Sequence, residues 1–226
     1  MMIRTDHSLV DKILELPEAP VLLDQLRSAL AEEQKRRLHF YEHVSEMEKS
    51  EFINGEVIVH SPVKKEHNEV SGNLYKIIDT YVVEHDLGFV GIEKILIQLT
   101  RNDYEPDLCF FRKEKAKGFK KGQQFFPEPD LVVEVLSKGT EKRDRGIKFE
   151  DYGKHQVEEY WIIDPRKETL EQYHLKKGNY DLVHKSATGL LKSFVLKGLE
   201  IPVETIFDKK KTHQFVKTGL FKISGS

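Results

Sequence analysis

The chain has 226 residues, 38% of them hydrophobic and 33% charged, enough to bury one generous core. No stretch approaches the ~18 apolar residues of a membrane span, and Met1 to Val10 lacks the charged-then-apolar layout of a signal peptide. The single cysteine, Cys109, excludes an intramolecular disulfide and a cysteine-built zinc site, so a reducing, cytoplasmic setting is expected. The formal net charge of −2 argues against a DNA-coating protein, so any nucleic-acid contact must rest on a local patch or a partner.

Residues 20 to 49 read as helix, with Val21, Leu22, Leu26, Leu30, Leu38 and Tyr41 at helical spacing among charges. From 51 to 59 the period changes, and Phe52, Ile53, Val57, Ile58 and Val59 flank the hairpin-turn pair Asn54-Gly55. Helical spacing returns over 66 to 86 with Val70, Leu74, Ile77, Ile78 and Tyr81, until Gly88 breaks it. Strands are expected over 89–99, 105–111, 129–136 and 158–163, the last three with dense apolar runs that fit strands covered on both faces. A helix is expected over about 140 to 153 with Thr140 as N-cap, and Asp164-Pro165 ends the following strand. Segments 168–175, 179–184 and 193–207 read as short strands. The order predicts an α/β (α+β) fold, a mixed β-sheet flanked by helices.

Glu134 lies inside the apolar run Leu131-Val132-Val133-Glu134-Val135-Leu136. A carboxylate in a central strand loses several kcal/mol of solvation unless a cation or a proton compensates. Pro106-Asp107 opens the preceding apolar strand, and Pro129-Asp130 opens the strand that carries Glu134. Carboxylates on neighbouring strands can converge on one hard cation, and Mg²⁺ (or Mn²⁺) favours one or two of them plus waters. The plainer alternative for each Pro-Asp is a turn in which Asp caps a backbone N–H, and for Glu134 an ion pair with a buried Lys or Arg. Asp144, Lys148 and Tyr152 are spaced i, i+4, i+8 and line one helical stripe, which also suits an ordinary surface pair.

A competing motif is His39-Phe40-Tyr41-Glu42-His43, which fits the inverted zinc-peptidase signature H-x-x-E-H on a helix but lacks a third ligand in the sequence. No P-loop and no Gly-x-Ser-x-Gly elbow is present.

The segments Glu51-Phe52-Ile53-Asn54-Gly55-Glu56, Glu105-Pro106-Asp107-Leu108, Pro129 to Ser137, Arg143-Asp144 with Lys148 and Tyr152, and Glu159-Tyr160-Trp161-Ile162-Ile163-Asp164-Pro165 occur in this order. Together they resemble the Uma-two family of bacterial proteins, which belongs to the restriction-endonuclease-like PD-(D/E)XK superfamily. The resemblance covers about residues 50 to 207, leaving 1–49 as a helical extension and 208–226 as a tail. It implies a nuclease fold with its site at strand ends. Asp107 would be the Pro-Asp aspartate, Glu134 the acidic residue of (D/E)XK, and Glu56 an acidic residue nearby. The sequence departs from the pattern at Leu136, which stands where the lysine belongs. Lys148 from the next helix could supply that amine, held by Asp144 and Tyr152.

The resemblance implies metal-dependent phosphodiester hydrolysis by Asp107, Glu134 and Lys148, with DNA or another nucleic acid as partner. A homodimer would suit duplex cleavage. The basic run Arg112, Lys113, Lys115, Lys117, Lys120, Lys121 is the expected phosphate contact, and a solvated loop is the plainer reading of it. The rival of a different class is a catalytically inactive binding or assembly module on the same fold, favoured by the near-neutral charge and Leu136.

Overall fold

The structure is a computed structural model that describes residues 7–44 and 49–218. Two helices open it, α1 (His7–Leu14) and the 25-residue α2 (Ala19–His43), which ends before the expected residue 49. Residues 45–48 and the tail beyond 218 lie outside the described residues. Only the C-terminal half of α2 is covered, through Glu33, Arg37 and Phe40. Arg37 fixes it there, because its guanidinium grips both oxygens of Asp103 (2.7 and 2.6 Å) and donates to the Leu99 carbonyl (2.7 Å). A buried bidentate pair of this kind is stronger than a neutral hydrogen bond.

The hairpin β1 (Ser50–Ile53) and β2 (Glu56–Val59) turns on Asn54-Gly55. Both turn residues have positive φ, 50° and 86°, the left-handed pair that Asn-Gly tolerates best. Helix α3 (Lys65–Glu84) buries the stripe that its spacing predicts: Val70, Leu74, Ile77, Ile78 and Tyr81.

The expected strand over 89–99 is two strands in two sheets, β3 (Gly88–Ile92) and β4 (Leu96–Gln98). Between them Glu93 takes φ 58°, which ends the extended run. Next come β5 (Asp103–Tyr104), β6 (Leu108–Arg112), the single turn α4 (Lys113–Ala116), β7 (Phe125–Phe126) and β8 (Leu131–Val135). The helix expected over 140 to 153 is broken into α5 (Glu141–Asp144) and α6 (Ile147–Lys154) at Gly146, whose ψ of −103° no helix accommodates. Thr140 precedes α5 but makes no capping bond; its hydroxyl instead accepts from the Ser137 N–H. Strand β9 (Glu159–Asp164) leads into the hairpin β10 (Thr169–Lys176) and β11 (Asn179–Ser186). The expected strand over 193–207 is mostly turn, with β12 (Leu190–Lys192), β13 (Glu200–Pro202), α7 (Val203–Ile206) and α8 (Lys209–Thr218) closing the chain.

Six strands form the main sheet in the order β11-β10-β9-β8-β6-β3. Only β8 and β9 run parallel in it, and α5 with α6 supplies the crossover that parallel neighbours require. Alternation assigns the faces. Leu131, Val133 and Val135 pack toward α3, while Val132 and Leu136 pack with Tyr152 of α6 and with Ile53, Ile97 and Tyr104 of the second sheet. That five-stranded sheet has the order β2-β1-β5-β4-β7. Glu134 shares the phase of Val132 and Leu136, so it points between the two sheets. Cys109 of β6 is buried on the same face, opposite Gly91 of β3. A Cβ on Gly91 would stand 2.8 Å from the Cys109 sulfur, so only glycine fits there.

Candidate active site

The register of β6 on β8 pairs Leu108 with Val133, and one step further sets Asp107 opposite Glu134. Both carboxylates line one cavity of about 290 Å³ at the strand ends, together with Lys49, His67, Thr140, Arg143 and Lys148. The three residues expected to act together, Asp107, Glu134 and Lys148, therefore meet at one place.

Asp107 is 4% exposed and fully engaged. Its Oδ1 accepts from the Lys49 ammonium at 2.7 Å, and its Oδ2 accepts from the Val135 N–H at 2.8 Å. His67 of α3 places Nε2 3.2 Å from the same Oδ2. Burial pushes the Asp107 carboxyl up, but Lys49 and His67 overcome that and hold it well below the usual range.

Lys148 is 1% exposed and sits in a cage of acids. Its Nζ lies 2.7 Å from Glu51 Oε1, 3.1 Å from Glu134 Oε1 and 3.3 Å from Asp144 Oδ1. The break at Gly146 leaves the i, i+4 contact with Asp144 intact. Burial works against the charge on Lys148, and Glu134, Glu51 and Asp144 more than offset it, so the ammonium stays protonated. Glu51 is the ionised partner: burial raises it, yet Lys148 and His60 hold it at about 2. Glu134 goes the other way. Burial raises it well above the ordinary carboxylate value, and Asp144, Asp107 and Glu51 push further in the same direction. Burial also raises Glu105, to about 7.

Tyr152 is fully buried one turn beyond Lys148, but its hydroxyl has no hydrogen-bond partner. The ring against the ammonium is that of Tyr104, 5.7 Å away.

Other expected residues lie elsewhere. Glu56 is exposed at the hairpin tip, where β2 pairs Glu56 with Ile53, and it does not line the cavity. The acid that the hairpin does deliver is Glu51, which shares the phase of core-facing Ile53. Asp130 precedes β8 by one residue, four before Glu134, so it stands about 13 Å away at the other end of the strand. There it accepts from the Arg112 N–H (2.8 Å) and faces the Arg112 guanidinium (3.1 Å) and Lys115 (3.2 Å).

The basic run lies at that same far end. Arg112 is five residues along β6 from Asp107, about 17 Å, so sequence position between the two carboxylates does not bring it beside them. Arg112 also pairs with Glu158 (2.6 Å), and Lys113 pairs with Asp86. Lys117, Lys120 and Lys121 are exposed and do not line the cavity.

Sequence reasoning missed Lys49, Glu51, His60 and His67. Glu51 carried a signal, its phase with Ile53. Lys49 and His67 carried none, because their contacts come from chain folding across 40 residues or more.

Does the donor set suit a hard divalent cation? Glu51, Asp107, Glu134 and Asp144 are four buried carboxylates, and Lys49 and Lys148 are two ammonium groups. With these six groups ionised, two negative charges are left over; burial first, and then the neighbouring acids against Lys148, raise Glu134. Two facing oxygen donors and an excess of two negative charges fit Mg²⁺ or Mn²⁺. The Lys49 ammonium on Asp107 already occupies a cation's place. The rival trio His39, Glu42 and His43, on an exposed turn of α2, is the one group of three such residues among those described that gathers its ligand atoms within 4.8 Å of one another. No fourth ligand of this kind joins it among the described residues.

Comparison with known proteins agrees with this geometry. Residues 33–204 match the Uma2 family, described as "Putative restriction endonuclease". The match begins inside α2, at the first residue of that helix buried by the domain. The chain is 27% identical over 164 residues to "Uncharacterized protein slr1290" of Synechocystis sp., covering 71% of this chain and 84% of that one. It is 29% identical over 128 residues to "Uncharacterized protein sll1609" of the same organism, covering 56% and 72%. Its fold is similar to the crystal structure of "a putative nuclease belonging to DUF820" from Anabaena variabilis, with a TM-score of 0.62 at 17% identity, over 72% of this chain and 90% of that one. With the sheet order, the facing carboxylates and a match over most of its length, the chain belongs to the Uma2 family of the restriction-endonuclease-like superfamily.

Proposed function

We propose that this chain hydrolyses phosphodiester bonds in nucleic acid with the help of Mg²⁺ or Mn²⁺ held by Asp107 and Glu134. The observation that carries this reading is the facing pair itself: two buried carboxylates on adjacent strands, lining one cavity, inside a cluster where acids outnumber ammonium groups. When bound, the cation would polarise the phosphate and make water a better nucleophile. The chain's own groups have distinct tasks. Asp107, ionised and pinned by the Val135 N–H, offers a fixed donor. Glu134, opposite it on the neighbouring strand, would be the second. Lys148 is a charged donor 3.1 Å from Glu134 that can meet negative charge as it develops on the phosphate.

The test is calorimetric titration of the full chain with Mn²⁺, followed by cleavage assays on duplex and single-stranded DNA and RNA. Wild-type protein should bind Mn²⁺, and Glu134→Gln should abolish binding while its circular dichroism stays unchanged. Unchanged binding in that variant would mean that Glu134 is structural.

One observation favours a second reading. Lys49 and Lys148 already sit on the two carboxylates, as in a site whose cation has been replaced by side chains. A catalytically inactive module of this fold should bind neither Mn²⁺ nor Mg²⁺ in the same titration.

A further inference from the structure

The cavity has a basic rim that neither the nuclease motif nor the basic run accounts for. Lys64, at the start of α3, lines it, as do Lys138 in the loop after β8 and Arg143 in α5. Arg143 is unusual in its company. Each other described arginine has a carboxylate or carbonyl partner: Arg27 with Asp24, Arg36 with the Gly55 carbonyl, Arg37 with Asp103, Arg101 with Glu33, Arg112 with Asp130, Arg145 with Glu171 and Arg166 with Asp164. Among the described residues Arg143 has neither, and its Nε is buried with no acceptor there. A buried charged donor without an acceptor is costly, and one on a cavity wall is placed for a ligand, an ion or water to complete it. Arg143 stands beside Asp144, whose carboxylate turns inward to Lys148 instead. Lys64 and Lys138 are exposed and likewise have no acid partner among the described residues.

A planar guanidinium with free N–H groups matches the oxygens of a phosphodiester two at a time. Two flexible ammonium groups on the same rim suit the neighbouring phosphates. We propose that Arg143, flanked by Lys64 and Lys138, is the phosphate clamp of this cavity and holds the backbone of a nucleic-acid strand against Asp107 and Glu134. The proposal deepens the hydrolytic reading of the same site and rests on it for the identity of the ligand. It also moves the nucleic-acid contact from the 112–121 run, whose Arg112, Lys113 and Lys115 are already committed to acids.

The test separates binding from cleavage. Fluorescence anisotropy of labelled single-stranded and duplex oligonucleotides is followed with the full chain in EDTA, over a range of salt concentrations. Arg143→Ala should weaken binding about 10-fold or more and lower the slope of log affinity against log salt by about 0.7–0.9, one phosphate contact. Arg143→Lys should restore the slope and part of the affinity, which a structural role would not require. The melting temperature of Arg143→Ala should not fall, because no hydrogen bond or ion pair is lost. Simultaneous replacement of Lys117, Lys120 and Lys121 by Ala should cost less than Arg143→Ala alone. The clamp is overturned if wild-type protein binds neither oligonucleotide, if Arg143→Ala leaves affinity and slope unchanged, or if the triple variant loses more. It is also overturned if inorganic phosphate competes as well as unlabelled strand of equal phosphate content. Binding that depends on Arg143 without Mn²⁺-dependent cleavage would sink the hydrolytic reading and leave the clamp standing. Cleavage with unchanged KM in Arg143→Ala would do the reverse.

Discussion

The two ends of β6 and β8 use the same kinds of residue for opposite purposes. At the far end, Arg112 and Lys115 meet Asp130, Glu128 and Glu158, and the ion pairs sit partly in solvent. At the cavity end, Asp107, Glu134, Glu51 and Asp144 are almost wholly buried and share two ammonium groups. Charges that are matched and wet cost little and give little. Charges that are dry and unmatched cost several kcal/mol unless a partner or a proton compensates them. The difference lies in solvent and stoichiometry, and it is why the proposed chemistry is assigned to the cavity end.

The sharpest way to break this contrast is Lys148→Met. It leaves Glu51, Glu134 and Asp144 buried with no ammonium among them, so denaturant unfolding in EDTA should show a loss of about 3–5 kcal/mol. Mn²⁺ should still bind and should recover part of the melting temperature. Any metal-dependent cleavage should fall on the order of 10²-fold or more. A variant as stable as wild type in EDTA would show that the cluster is not short of positive charge.

A smaller effect is expected at Glu171, a second matched group. Burial raises its carboxyl, but Arg145, Tyr173 and Lys185 hold it at about 2, below its ordinary 4.5. A depressed carboxyl stabilises the fold above pH 4.5, and that contribution fades as pH falls toward 2. Glu171→Gln should therefore cost about 1–2 kcal/mol at pH 7, discounted because the Lys185 side chain is 60% exposed. Urea melts of the two proteins should converge as pH drops through that window. A gap that stays constant with pH would assign the loss to packing.

The smallest effect belongs to the far end. Arg112→Ala should cost no more than about 1 kcal/mol, since Asp130 keeps Lys115 and the residue-112 N–H. Titration with Mn²⁺ should be indistinguishable from wild type. A change in metal affinity would mean that the two ends are coupled through β6.

Much of this site was legible in the chain. An acid inside Leu131 to Leu136 needed a cation or a proton beside it, the acid after Pro106 was its natural companion, and alternation alone sends Glu134 to the face where Lys148 arrives. The hairpin and α3 followed from Asn54-Gly55 and from helical spacing. What escaped the sequence was register and partition. Choosing Glu51 over Glu56 needs the phase of a four-residue strand, which one turn residue more or less would invert. The run 89–99 looks continuous, yet a single left-handed Glu93 sends its halves to different sheets. The basic run lies between the carboxylates in sequence, but β6 carries the chain across the sheet before those cations begin. Arg143 was visible as a residue and invisible as a site, because what distinguishes it is the lack of a partner.

Cys109 offers a clock on the same strands. Its thiol is buried between the sheets, and burial pushes it far above the ordinary thiol range, so it is inert while the sheet is closed. It is also the chain's one cysteine. Alkylation by a small reagent therefore requires the two sheets to part over β6, and its rate reports exposure of the inner face of the strands that carry Asp107 and Glu134. Fraying of α1 or α8 leaves that rate untouched. A natural single-site reporter thus lies one residue from the proposed cation donors' own strand end, and any ligand that ties those strands together should slow its labelling without touching the sulfur.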